Sequence, residues 1–226
     1  MKTTFKILLL MVITTSSTSV FAKHYYRFWR GHIEQSMTKE NFVKGLNKIF
    51  IPETVEQGRN DGLNSYLPVL ISRDKEISDF PDELALVVYD SEEKYRAIRK
   101  MPRGANYQKM HWEYFAKENS RSRVPQEFDG HVKTESAYDL LESDADWQKG
   151  KVQFLIRKFK NGLSEEVRTE VKKYFKTIKS NSKKYGILSH IVLVDQLGIY
   201  EYVLYSKNSE PRACLLYTSD AADDSL

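Results

Sequence analysis

Near the N-terminus the run KHYYRFWRG, Lys23 to Gly31, carries two arginines on opposite faces of what reads as a strand. Tyr26, Phe28 and Arg30 point one way, and Tyr25, Arg27 and Trp29 point the other. Whichever face turns inward takes an arginine with it, and a buried guanidinium must meet an anionic or carbonyl partner. A ligand carboxylate held by two parallel hydrogen bonds would serve; a strand-end arginine reaching back to water is the plainer reading. Farther along, Tyr107, Met110, His111, Tyr114 and Phe115 fall on one helical face. Imidazole changes charge most readily near neutral pH. If this helix lines a pocket, His111 with Tyr114 is the pair placed to handle a proton, whereas packing is the plainer role. The candidates are thus His111 and Tyr114 for catalysis, and Tyr26, Arg27 and Arg30 for ligand binding. His190 and Glu201 form a lesser pair, diagonal across a hairpin and expected as a surface ion pair.

The remaining histidines, His24, His32 and His131, add no ligand spacing, so neither a metal nor a cofactor is expected, and no axial histidine is singled out for haem. Phosphate-loop, dinucleotide-loop, nucleophile-elbow and zinc-helix motifs are absent. The chain has 226 residues and a net charge of +4. Its basic segment from Arg168 to Lys184 is interrupted by Glu170 and reads as a solvated helix face rather than a nucleic-acid surface.

The first 22 residues read as a secretory signal peptide: Lys2 and Lys6, an apolar run from Ile7 to Ile13, and Val20 and Ala22 before the cleavage point. That run is far too short to span a bilayer, so no transmembrane segment is expected and the protein is read as secreted or periplasmic. Residues 214–223, CLLYTSDAAD, resemble a translated sequencing adapter, and 214–226 read as a non-native tail. The only cysteine, Cys214, lies there and is proposed for no chemical role.

The elements that must position these residues follow from periodicity. Thr38 caps a helix with a Phe42, Val43, Leu46, Ile49, Phe50 stripe, which Pro52 stops or follows. LNSYLPVLIS and LALVVYD read as strands around an FPDE loop. Ser91 opens a helix broken by Pro102 and Gly104, the His111 helix follows, and Phe128 to Lys133 reads as a fourth strand. An acidic linker, 136–150, precedes a second strand, helix and hairpin over 151–213. The two halves match in order. GLNSYLPVLI lies over GILSHIVLVD, Tyr89 over Tyr205, and FWRG over LIRK, which sets Arg30 on Arg157.

The β-α-β-β-α-β order of 23–135 is ferredoxin-like, and 151–213 gives an incomplete second unit. The fold class is α+β, two tandem ferredoxin-like units. It resembles the dimeric α/β-barrel superfamily, which includes small monooxygenases and haem-binding peroxidases. The resemblance implies a pseudo-dimeric barrel with a pocket between sheet and helices. The function that follows is an exported protein binding a small aromatic or apolar ligand, or turning it over without a cofactor. A non-catalytic exported interaction protein is the alternative, and nothing in the pattern fixes an oligomeric state.

Overall fold

A computed structural model describes residues 23–71 and 80–209; the expected signal peptide and adapter-like tail lie outside them. The first sheet contains β1 (Tyr25–Gly31), β2 (Leu63–Leu70), β3 (Glu83–Tyr89) and β4 (Arg121–Arg123). Its order is β2-β3-β1-β4, antiparallel throughout, the ferredoxin-like arrangement. Along one face run helices α1 (Lys39–Gly45), α2 (Ile51–Arg59), α3 (Glu92–Lys100) and α4 (Pro102–Tyr114). The second sheet contains β5 (Gln126–Glu127), β6 (Ser136–Asp139), β7 (Lys151–Lys158), β8 (Ile187–Val194) and β9 (Gly198–Tyr205), in the order β5-β6-β8-β9-β7. One long helix, α5 (Glu165–Asn181), packs on it.

Local chemistry sets the helix starts. The hydroxyls of Thr38, Ser91 and Ser164 each accept a backbone N–H three residues on, from Asn41, Lys94 and Val167. Acidic residues follow each cap: Glu40, Glu92 with Glu93, and Glu165 with Glu166. Pro52 does not stop the first helix. A π-helical turn over Leu46–Phe50 joins α1 to α2, and the Ile51 N–H reaches back five residues to the Leu46 carbonyl. That wider turn interrupts the usual ladder where proline would lack a donor, so the ring is tolerated. Pro102 does break the chain: α3 ends at Lys100 and α4 restarts with Pro102 in its first turn. Gly104 sits so close to α3 that a Cβ there would lie 2.2 Å from the Ile98 carbonyl oxygen.

The duplication is written in the backbone. Gly62 and Gly186 both open their strands with positive φ, 95° and 64°. The register slips after each of them at matching places, between Leu63 and Ser65 and between Ile187 and Ser189. The Asp90 N–H donates to the Gly62 carbonyl, as the Ser206 N–H donates to that of Gly186. The placement of Arg30 over Arg157 is corrected. Tyr25 pairs with Tyr89 and Lys151 with Tyr205, so with the tyrosines superposed Arg30 falls on Ile156. A one-residue slip turns a strand side chain to the other face, and the two arginines do point to opposite sides of their sheets.

Two further expectations change. Phe128 to Lys133 is not a strand; the short β4 takes the place beside β1. The stretch read as a linker contributes β6, which pairs antiparallel with the outer edge of β8. Beside β7, where the first unit has β4, no strand lies among the described residues.

The sheets meet face to face. Tyr26, Phe28, Leu84, Leu86 and Val88 pack against Ile191, Leu193, Tyr200, Tyr202 and Leu204. The opposite face of the first sheet packs on Phe42, Leu46, Phe50, Tyr114 and Phe115, and that of the second on Val171, Phe175 and Ile178. At the centre the Tyr202 hydroxyl reaches across to the Leu67 and Leu84 carbonyls, at 2.8 and 3.0 Å, and its ring meets Phe28 edge-on. Tyr202→Phe should cost about 1 kcal/mol in denaturant unfolding, and Tyr202→Ala about 3–5 kcal/mol; equal losses would show that the hydroxyl carries the contact.

Candidate functional site

The alternation of β1 decides the fate of its candidates. Tyr26 and Arg30 face the second sheet and are structural. The Tyr26 hydroxyl donates to the Ser143 carbonyl at 3.2 Å and receives the Trp147 indole N–H at 3.4 Å. The Arg30 guanidinium donates to Glu135 at 2.6 Å and also to Asp195, joining the two units through a half-buried ion cluster. Arg27 and Trp29 face the helices instead. There they line a cavity of about 250 Å³ between β1, β2 and β3 on one side and α3 and α4 on the other.

His111 lines the same cavity, with Tyr66, Val87, Tyr95, Arg99, Tyr107 and Trp112. Ser120 and the β4 residues Arg121 and Ser122 close one side. Tyr114 is elsewhere: it packs on Phe50 and against Gly45, where a Cβ would sit 2.3 Å from its ring. The structure thus brings Arg27 and His111 together and leaves Tyr26, Arg30 and Tyr114 outside. Sequence reasoning missed Arg99, Arg121, Tyr66 and Tyr95, which reach the cavity from three separate elements, α3, β4 and β2. Only the shared face of Arg27 and Trp29 was visible in the strand alternation.

His111 is caged by rings. Trp29 meets it at 4.3 Å between centroids, and Phe50 and Phe115 at 5.1 Å. Its Nε2 is buried without a hydrogen-bond partner. Burial, with the Arg99 charge adding to it, pushes the imidazole down to about 3, so it is neutral at pH 7. Behind the wall lies Glu83, completely buried. It accepts from the Trp29 indole N–H at 3.0 Å and the Tyr66 hydroxyl at 2.9 Å, and both donors also line the cavity. Burial pushes its carboxyl up to about 7 despite those two bonds. Glu83 belongs to β3, although the sequence reads FPDE as a loop.

The second unit has a counterpart to this buried carboxyl. Glu201 of β9 accepts from His190 at 2.8 Å, Arg157 at 2.7 Å and Tyr174 at 2.7 Å. The expected surface ion pair is therefore corrected: His190 and Glu201 are 1% and 0% exposed. Burial alone would raise the Glu201 carboxyl, but His190 and Arg157 hold it below the usual range. Arg157 also lies over the Tyr174 ring at 5.0 Å. These side chains lie on the helix side of the second sheet, beside the apolar cluster of Val171, Phe175 and Ile178. The cavity of the first unit owes one wall to α4 and β4, and the second unit has no counterpart of these among the described residues.

Two ferredoxin-like units with sheets face to face and helices outside define the dimeric α/β-barrel arrangement within a single chain. No family model matches the sequence, and no curated protein matches it. Among solved structures, a Mycobacterium tuberculosis protein is 15% identical over 47% of this chain and 97% of its own, with a TM-score of 0.35. An ethyl tert-butyl ether D family protein of Bacillus halodurans is 15% identical over 46% and 99%, with a TM-score of 0.37. A Fusobacterium nucleatum protein suggested to be a monooxygenase spans both units, 10% identical over 83% and 78%, with a TM-score of 0.41.

Two opposed pH dependences follow. The unfolded chain protonates His111 near 6.5 and the folded chain near 3, so this group's stabilisation is lost as pH falls below about 6.5. Glu83 ionises near 4.5 when unfolded and near 7 when folded, so its contribution is lost as pH rises through that window. Glu83→Gln should gain about 3 kcal/mol relative to the parent between the ends of that window. His111→Phe should gain on acidification from pH 6.5 to 4, as chemical denaturation at several pH values would read. In the same assay Arg30→Ala should lose about 3 kcal/mol, leaving Asp195 unpaired, and Arg27→Gln less than about 1 kcal/mol.

Proposed function

We propose that this is an exported protein that binds a small aromatic or apolar molecule in the cavity between the first sheet and helices α3 and α4. The observation that carries the reading is that Arg27 and His111, from distant segments, share one aromatic-walled cavity. Binding sites of this kind are concave and mostly apolar, with a few convergent polar groups. Trp29, Tyr66, Tyr95, Tyr107 and Trp112 supply faces and edges for a flat ligand. The volume suits one or two fused rings. The His111 ring forms part of the wall, and its Nε2 is buried with no hydrogen-bond partner among the described residues.

The low imidazole pKa favours binding over turnover. A base that protonates near 3 is poorly matched to removing a proton at neutral pH. His111 therefore serves as part of the wall in this reading, and Tyr114, packed on α1, takes no part. Export is inferred from the first 22 residues alone.

Calorimetry with one- and two-ring aromatics tests the reading. At least one should bind with a Kd below about 1 mM, and Val87→Phe, which fills the cavity from β3, should weaken it at least tenfold with the circular dichroism spectrum retained. Failure of the whole panel, or indifference to Val87→Phe, would remove the cavity as the site. Export is tested separately: in a secretion-competent host the mature N-terminus should be Lys23, and an N-terminus still at Met1 would overturn that part.

A further inference from the structure

Nine arginines have described side chains, and six of them hold a carboxylate: Arg30, Arg96, Arg103, Arg123, Arg157 and Arg168. Among the described residues the three that hold none are Arg27, Arg99 and Arg121, and all three line the one cavity. Arg27 is half-buried, and Arg99 and Arg121 stand exposed at the rim, so the arginines without a carboxylate partner gather at one place.

The local contacts show how each is held. The Arg27 Nε donates to the Ser122 hydroxyl at 2.9 Å, which leaves its two terminal nitrogens with no protein partner among the described residues. Those nitrogens are the pair that grips a carboxylate with two parallel bonds. The Arg27 guanidinium lies 5.1 Å from the centre of the Tyr95 ring and that of Arg99 lies 5.8 Å from it, so both cations lie against the same ring. Arg99 also donates to the Tyr95 hydroxyl at 2.9 Å, and Arg121 to the Glu118 backbone carbonyl at 3.2 Å. None of these acceptors is charged. No acidic residue lines the cavity, and the buried Glu83 carboxyl is bonded to Trp29 and Tyr66 of its wall. Like charges gathered with no anion repel one another, and an anion among them relieves that repulsion.

We infer that the ligand of this cavity is an aromatic anion, a one- or two-ring arene carboxylate whose carboxylate seats on Arg27 and Arg99 while its ring lies among Trp29, Tyr66 and Tyr107. The inference rests on the binding reading above and fixes the ligand's charge. A neutral ring of the same shape leaves three cations uncompensated. An aromatic amine adds a fourth. Phosphate or sulfate alone finds the charge but no use for the aromatic walls.

The test uses 2-naphthoate, 2-naphthamide, 2-naphthylmethylamine and inorganic phosphate, titrated by calorimetry at low and moderate salt. 2-Naphthoate should bind at least tenfold more tightly than the amide, and the amine and phosphate should not bind measurably. Raising the salt should weaken 2-naphthoate and leave the amide unchanged. Arg27→Gln and Arg99→Gln should each lower 2-naphthoate affinity about tenfold or more without changing that of the amide; Arg96→Gln, on the exposed face of α3, should change neither. Equal affinity for 2-naphthoate and 2-naphthamide, abolished for both by Val87→Phe, would overturn the anion assignment and keep the cavity as a binding site. No binding of either naphthalene would overturn both. Phosphate binding as tightly as 2-naphthoate would show a plain anion site and overturn the aromatic part.

Discussion

The hydroxyl of Tyr202 crosses the gap between the two sheets and takes hold of two carbonyls on the other side. Around it the inner faces of β1, β3, β8 and β9 exclude water from an almost wholly apolar layer. Non-directional burial of this kind supplies most of the drive to associate, and the tyrosine hydrogen bonds help fix how one sheet lies on the other. Once that layer is spoken for, each strand has one remaining face, and it must meet helices. The assignment of every candidate residue follows. Tyr26 and Arg30 point into the layer and hold the units together, whereas Arg27 and Trp29, one residue away from each, point to the helices and the cavity.

Duplication copied the scaffold more faithfully than the chemistry. The left-handed glycines, the register slip after each and the closing backbone hydrogen bond recur in both units. A buried glutamate recurs too, but not at one position. Glu83 pairs with Gly31 of β1 and Glu201 with Leu155 of β7, two steps apart once the tyrosines are superposed. Their surroundings push the carboxyls in opposite directions. Glu83 has only neutral donors and rises; Glu201 has an arginine and a histidine and falls. In the second unit that charged cluster sits on the helix side of the sheet beside Val171, Phe175 and Ile178. In the first, a cavity lies between the sheet, with β4 at its edge, and helices α3 and α4.

The charge pattern separates structural arginines from the rest. Arg30 and Arg157 are buried against carboxylates from neighbouring elements, the arrangement that makes removal of one partner costly. Arg27, Arg99 and Arg121 are instead placed by a hydroxyl, a phenol and a backbone carbonyl. Neutral partners orient a guanidinium without cancelling its charge. Three guanidinium groups without a carboxylate partner thus line or rim an aromatic-walled cavity, next to an imidazole that burial and Arg99 hold neutral.

Local periodicity determined a great deal. The caps at Thr38, Ser91 and Ser164, the break at Pro102, the stripe of α5 and the repeated strand-helix-hairpin order are all readable because each depends on residues a few positions apart. Pro52 was misread because a π-helical turn upstream, invisible to a 3.6-residue period, made room for it. Glu83 was misread because a charged residue beside proline and aspartate resembles a turn until two distant donors, Trp29 and Tyr66, claim it. The period of two on β1 showed that its arginines part company, but not which of them goes to a ligand. Both faces of that strand are covered, one by a second sheet and one by helices, and alternation alone assigns neither. The cavity and the emptiness around its three arginines were decided by contacts between segments far apart in the chain, and only the folded arrangement contains them.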